Sequence, residues 1–162
     1  SEAGLPNSYG VITRGMCIDQ TNKKLYSVAE SSDAAHKWDI SSNYAPSYHT
    51  YVRQTTFLNG PMTCAVDEEE ELLLIALYDT KGVAVCDCSG TGLTRTGTLV
   101  DATNFTGAFG IDLDRTRKIA FVTTTGGKLL AVDYSNAPTL TLLGSIASGL
   151  GANNLAIDLF DE

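Results

Sequence analysis

The chain is poor in the residues that most often carry chemistry, with 2 His and 4 Cys among 162 residues. It contains no Gly-x-Ser-x-Gly, no His-Glu-x-x-His and no glycine-rich phosphate loop opening a helix. The usual local signatures of serine hydrolases, zinc proteases and nucleotide enzymes are therefore missing. Long apolar runs are missing as well. The longest aliphatic run, Leu72 to Leu77, falls far short of the ~20 residues a membrane helix needs, so no transmembrane segment is expected. Basic residues are few, with 11 Lys and Arg against 19 Asp and Glu and a net charge of -8. Such a balance gives no electrostatic footprint for phosphate backbones, and a nucleic-acid partner is not expected. No basic-then-apolar leader precedes Ser1, so any secretory signal is expected to be absent or already removed. What remains is 43% hydrophobic, with 15 Gly and 4 Pro, enough to build the core of one ordinary domain.

The chain repeats itself. Met16-Cys17-Ile18-Asp19, Cys64-Ala65-Val66-Asp67, Ile111-Asp112-Leu113-Asp114 and Leu155-Ala156-Ile157-Asp158 end alike, and their closing Asp residues are 48, 47 and 44 positions apart. A second Asp follows 20, 20 and 19 positions after the first, in Trp38-Asp39, Cys86-Asp87 and Val132-Asp133. Between the two lies an apolar run: Leu25 to Ala29, Leu73 to Leu77, Ile119 to Thr123. Alternate apolar positions in the first stretch point to one face of a strand. The middle run is expected to be buried on both faces. A further alternating stretch closes each unit: Tyr48 to Val52, Thr94 to Val100, Thr139 to Ile146. No segment shows sustained helical spacing with caps.

Four short strands per unit of 40–50 residues is the pattern of propeller blades. The expected fold is all-β: about three four-stranded antiparallel blades (15–58, 62–106, 109–148), with partial blade strands at 9–14 and 155–159. The whole chain, 1–162, then reads as a single propeller-type domain or part of one. A ring needs 4–8 blades, so this propeller is incomplete within the chain. Its open ends would leave strand edges and apolar faces seeking company.

The stretch Leu129-Leu130-Ala131-Val132-Asp133-Tyr134-Ser135-Asn136-Ala137-Pro138, followed by Leu142-Leu143-Gly144-Ser145, resembles the LVIVD-type propeller repeat. Val83 to Asp87 with Gly97-Thr98-Leu99, and Trp38 to Asn43 with Pro46, keep it more loosely. The Trp38-Asp39 pair is more distantly similar to WD40 repeats, although no Gly-His pair precedes the inner strands. The resemblance implies a surface or secreted protein. It implies no shared chemistry and transfers no catalytic residue.

Several side chains are candidates for a role. Asp19, Asp67, Asp114 and Asp158, and again Asp39, Asp87 and Asp133, occupy equivalent positions, as expected of carboxylates that cap turns. The run Asp67-Glu68-Glu69-Glu70-Glu71 is expected to be a solvated acidic turn, since it lacks the Asp/Gly alternation of a calcium loop. Asp112 departs from its repeat, standing where sister units have Cys17, Ala65 and Ala156. It is the candidate ligand contact, against the plainer reading of a carboxylate held by neighbouring amides. Cys17, Cys64, Cys86 and Cys88 are expected to be buried thiols, with one disulfide open and its pairing undetermined by spacing. His36 and His49 fall in no triad. Gly126-Gly127 reads as a hairpin turn, and Asn104-Phe105-Thr106 is a glycosylation acceptor pattern.

The expected function is a non-enzymatic structural or interaction module, completed by other copies of itself or by the remainder of a propeller. An extracellular or cell-surface polymer or coat is its sharper form. No cofactor or metal is expected. The alternatives are a fragment of a propeller enzyme, lactonase-like, or a propeller that binds a small ligand or glycan.

Overall fold

A computed structural model describes residues 13–42, 46–53 and 58–147, and in it the four-strand unit is built three times. The first sheet holds β1 (Thr13–Asp19), β2 (Lys24–Ala29), β3 (Ala34–Asp39) and β4 (Ser47–Arg53). The second holds β5 (Pro61–Asp67), β6 (Leu72–Leu77), β7 (Gly82–Asp87) and β8 (Thr94–Val100). The third holds β9 (Ala108–Asp114), β10 (Ile119–Thr124), β11 (Lys128–Asp133) and β12 (Thr141–Ala147). Each sheet is an antiparallel meander in chain order, and β1, β5 and β9 stand side by side as inner strands. The chain is all-β, three blades of an incomplete propeller. Of the anticipated terminal strands, 9–12 and 155–159 lie outside the described residues, and so does Asp158; Thr13 and Arg14 open β1. β12 begins at Thr141 rather than Thr139, because the Thr139 N–H is still held in a turn by the Asn136 carbonyl at 3.0 Å.

The turns explain why the meander repeats so evenly. Four residues after each first Asp comes a left-handed residue: Lys23, Glu71 and Lys118, with φ of 55, 53 and 56°. An L-residue adopts this conformation only at some cost. Here it aims the residue's carbonyl at the N–H just beyond the second Asp, at Ile40 (3.0 Å), Cys88 (2.9 Å) and Tyr134 (3.0 Å). The first hairpin and the third strand of every blade are fastened together by that bond. Gly126-Gly127 forms the β10–β11 turn, with the Gly127 N–H on the Thr124 carbonyl at 3.0 Å.

Packing follows from side-chain alternation. On β6, Leu73, Ile75 and Leu77 face the first blade, where they meet Tyr26, Val28 and Ala35. Leu74 and Ala76 face the third, where they meet Ile111, Val122 and Leu130. The second strand of the middle blade is thus buried on both faces, and each fully buried Leu or Ile contributes about 2 kcal/mol. Two cores result, each a joint between neighbouring blades and neither inside a single sheet.

Gly97 and Gly144 show where this packing stops. They occupy the same position on β8 and β12, third after the strand's opening Thr. A Cβ on Gly97 would strike the Pro138 carbonyl oxygen of the next blade, whereas a Cβ on Gly144 meets nothing within 4 Å. Gly97→Ala should therefore cost about 2–3 kcal/mol in urea unfolding. Gly144→Ala should leave the fold within about 0.5 kcal/mol of the parent.

Candidate functional site

All six described repeat carboxylates sit at the same end of their sheets and bind turn amides. The second of each pair accepts the N–H two residues on: Asp39 from Ser41, Asp87 from Ser89 and Asp133 from Ser135, each at 2.8 Å. These bonds hold all three carboxyls below the usual carboxylate range. The first of each pair accepts the N–H three residues on: Asp19 from Asn22 (2.7 Å), Asp67 from Glu70 (3.2 Å) and Asp114 from Arg117 (2.9 Å).

Only part of the acidic run is a solvated turn. Asp67 is fully buried, and its Oδ2 receives Lys118 Nζ at 3.0 Å and the Tyr134 hydroxyl at 2.9 Å, both from the third blade. Glu70 also pairs with Lys118, at 3.1 Å. Glu68 reaches the opposite way and accepts the Gln20 and Thr21 N–H groups at 3.2 and 3.1 Å and the Thr21 hydroxyl at 2.5 Å. The run therefore ties the middle blade to both neighbours, and Glu69 and Glu70 are its exposed members. Burial alone would raise the Asp67 carboxyl, but the Lys118, Glu70 and Tyr134 donors outweigh it and hold the group low. Burial, together with the bond to Asp67, pushes the Tyr134 hydroxyl up.

Lys37 is the counterpart across the other joint. Buried on β3, it spreads its three ammonium protons over the carbonyls of Cys88 (2.5 Å), Gly90 (2.8 Å) and Gly92 (3.2 Å) in the β7–β8 loop. The Tyr26 ring lies 5.9 Å below it. Burial lowers its pKa. The repeat places Lys37 where sister blades have Val85 and Ala131, a departure as legible in the sequence as that of Asp112.

Asp112 lies on β9 in a cross-strand row with Phe121, Ala131 and Gly144. The matching row of the middle blade, Ala65, Leu74, Val85 and Gly97, is packed under the third blade. Asp112 accordingly stands half-buried on the outward flank of the last blade, with Oδ1 accepting the Leu113 N–H at 2.9 Å. His36 stacks on Tyr51 at 5.9 Å and tilts against Trp38 at 6.1 Å on the first blade's outward flank, where burial lowers its pKa. His49 falls on β4. Asn104 Nδ2, the atom a glycan would take, donates to Asp101 at 2.7 Å, and its Oδ1 accepts Lys128 at 3.2 Å.

The four cysteines gather at one joint, between the first and second blades. Cys64, Cys86 and Cys88 belong to that core and Cys17 packs against it. All four are thiols. The opposite strand parity of Cys17 and Cys64 is what brings them together, because adjacent blades present opposite faces to each other. Burial pushes the Cys86 thiol up to about 12 and the Cys88 thiol to about 11.

A groove of about 430 Å³ opens at the joint of the second and third blades, between Glu70, Asp87, Lys118, Tyr134 and Pro138. Its charged groups are already engaged in the turn and joint bonds described above. Among the described residues, no group of three or more His, Cys, Asp or Glu is placed to hold a metal ion, and no helix is long and apolar enough to cross a membrane.

The Asp67 network has a pH signature. A carboxyl depressed in the folded state contributes stability above its unfolded value of about 3.9, and loses it as pH falls through the lower folded value. Urea titrations from pH 7 to pH 3 should show the parent losing stability towards acid. Asp67→Asn should start about 3 kcal/mol less stable at pH 7, with a shallower acid loss.

No family model and no curated protein matches the chain. Solved structures do. One is a candidate 6-phosphogluconolactonase from Bacteroides uniformis ATCC 8492, at 14% identity and TM-score 0.76, covering 90% of this chain and 44% of that one. Another is the RRP9 WD40 repeats, at 9% identity and TM-score 0.67, with 86% and 39% covered. A third is a chain of the nidogen/laminin complex, at 19% identity and TM-score 0.65, with 91% and 53% covered. The chain spans less than half the length of the first two and about half of the third. At such identities the likeness carries the fold alone. The LVIVD-type resemblance finds no matching family, and the repeated sheets with lactonase-like and WD40 neighbours identify this chain as propeller-like.

Proposed function

We propose that this protein is a non-enzymatic interaction scaffold whose two outward flanks are covered by further copies of itself. The observation that carries the reading is the state of those flanks. On the last blade, Phe121, Leu129, Ala131, Leu143 and Ile146 surround an apolar hollow of about 380 Å³, with Leu143 55% and Ile146 64% exposed. On the first blade, Met16 is 65% exposed beside Ile18, Trp38 and Tyr51. Their inner-sheet equivalents in the middle blade, Leu74, Val83 and Val85 on one side and Cys64, Val66 and Cys86 on the other, are buried in the inner joints, so each flank is half of a blade-to-blade contact.

The two flanks differ, one aliphatic with a single aromatic ring and the other rich in Met, Trp and Tyr. A contact between them is head-to-tail. It closes a ring if the rotation allows, and otherwise propagates as a filament, which suits an extracellular coat. The nidogen/laminin neighbour offers an analogy, a propeller-like fold found in a complex with another chain. The Asn104-Phe105-Thr106 pattern supports the extracellular setting. The lactonase-like alternative rests on the names of neighbours whose likeness reaches no further than fold.

Native mass spectrometry over a concentration series tests the scaffold. Multiples of 17.2 kDa are expected for the parent. Leu129→Glu and Met16→Glu should each fold yet remain monomeric, because each loses one side of the contact. Mixed together, they should form a dimer through the two intact flanks and go no further. A parent that stays a single chain at every concentration would overturn the reading.

A further inference from the structure

We propose that Cys17 and Cys64 are a disulfide-forming pair that locks the inner strand of the first blade to that of the second. The two sulfurs are in contact, Cys17 Sγ–H donating to Cys64 Sγ at 3.3 Å. Their backbones are held close by a neighbour on the same face of β1. A Cβ on Gly15 would lie 2.6 Å from Thr63 Cα and 2.8 Å from the Met62 carbonyl, so β1 and β5 approach closely one residue before Cys64. A disulfide needs such an approach, with the Cα atoms within about 7 Å and the Cβ atoms turned towards each other.

Two of the other pairings are disfavoured by the strand geometry. Cys64 lies opposite Ile75 and Cys86 opposite Leu73 on the two sides of β6, so these two thiols are separated by a whole strand and by about 10 Å. Cys86 and Cys88 sit two residues apart and point the same way, and the Cys88 sulfur is engaged by the Tyr26 hydroxyl. Four cysteines permit three complete pairings by arithmetic. The pair whose sulfurs meet across the blade joint is Cys17 with Cys64.

The oxidant required is a low-molecular-weight disulfide such as oxidised glutathione. Cys17 is half-buried and Cys64 buried, so the Cys17 thiolate attacks first and expels one glutathione thiolate. The Cys64 thiolate then attacks the Cys17 sulfur of the mixed disulfide and expels the second. Two protein thiols lose two protons and two electrons, and one glutathione disulfide becomes two glutathione thiols. Burial pushes the Cys17 thiol up, so the reaction is slow at neutral pH and speeds up with alkalinity. In an oxidising compartment the bond would persist.

The test is to incubate the native chain with oxidised glutathione at pH 8, quench by alkylation under denaturing conditions, count thiols and map peptides without reduction. Two of the four thiols should disappear, with a single linked species joining the Cys17 and Cys64 peptides and a mass 2 Da lower. Cys17→Ser and Cys64→Ser should each abolish that species. Tm of the oxidised chain should rise by roughly 10 °C. Four thiols surviving in the folded parent, or a linkage through Cys86 or Cys88, would overturn the proposal. The peptide map of the parent decides the matter even if a serine variant fails to fold.

Discussion

A twisted sheet with two apolar faces cannot satisfy either of them alone. Everything about this chain follows from that constraint. The middle blade solves it by presenting Leu73, Ile75 and Leu77 to one neighbour and Leu74 and Ala76 to the other, so the cohesion of the molecule resides between blades. Among the described residues, the end blades solve it only on their inner sides. Their outer sides retain the same alternation, and the functional reading is the consequence: a surface built like an interior attracts something built like itself.

Polar chemistry is organised around the same joints. Repeated Asp residues fix the turns, which keeps the three meanders superimposable, and a few unrepeated residues then make each joint individual. Lys37 fastens the first joint through three carbonyls, whereas Asp67 with Lys118 and Tyr134 fastens the second. A buried ammonium without a carboxylate and a buried carboxylate with two donors are different answers to one demand, that no desolvated charge be left without partners. Asp112 is the same kind of departure, half-buried on a face with no neighbouring blade in the chain's described part, with its Oδ1 accepting the Leu113 N–H.

Strands, turns and the inward residues were legible because each is a local property: a period of two, an Asp at a fixed offset, an apolar run between them. The joints were not, because a contact such as Lys37 with Gly92 spans 55 positions and depends on which face of one blade meets which face of the next. Cys17 and Cys64 illustrate the point. Within one strand their parity sets them on opposite faces, and only the stacking of blades turns opposite faces into neighbours. Part of the acidic run departs from the expected solvated turn for the same reason, since Glu68 and Asp67 look like solvated charge until the turns of adjacent blades are placed beside them.

The chain's two methionines probe this account directly. Met16 lies exposed on the first blade's outward flank, whereas Met62 is 6% exposed on β5. Oxidation by dilute peroxide, read residue by residue as sulfoxide, reports the access of each. In dilute solution Met16 is expected to oxidise at least about tenfold faster than Met62, and to become protected as concentration rises and flanks meet. Equal, slow oxidation of both at every dilution would mean the flank is already covered from within, and would contradict the account at its root.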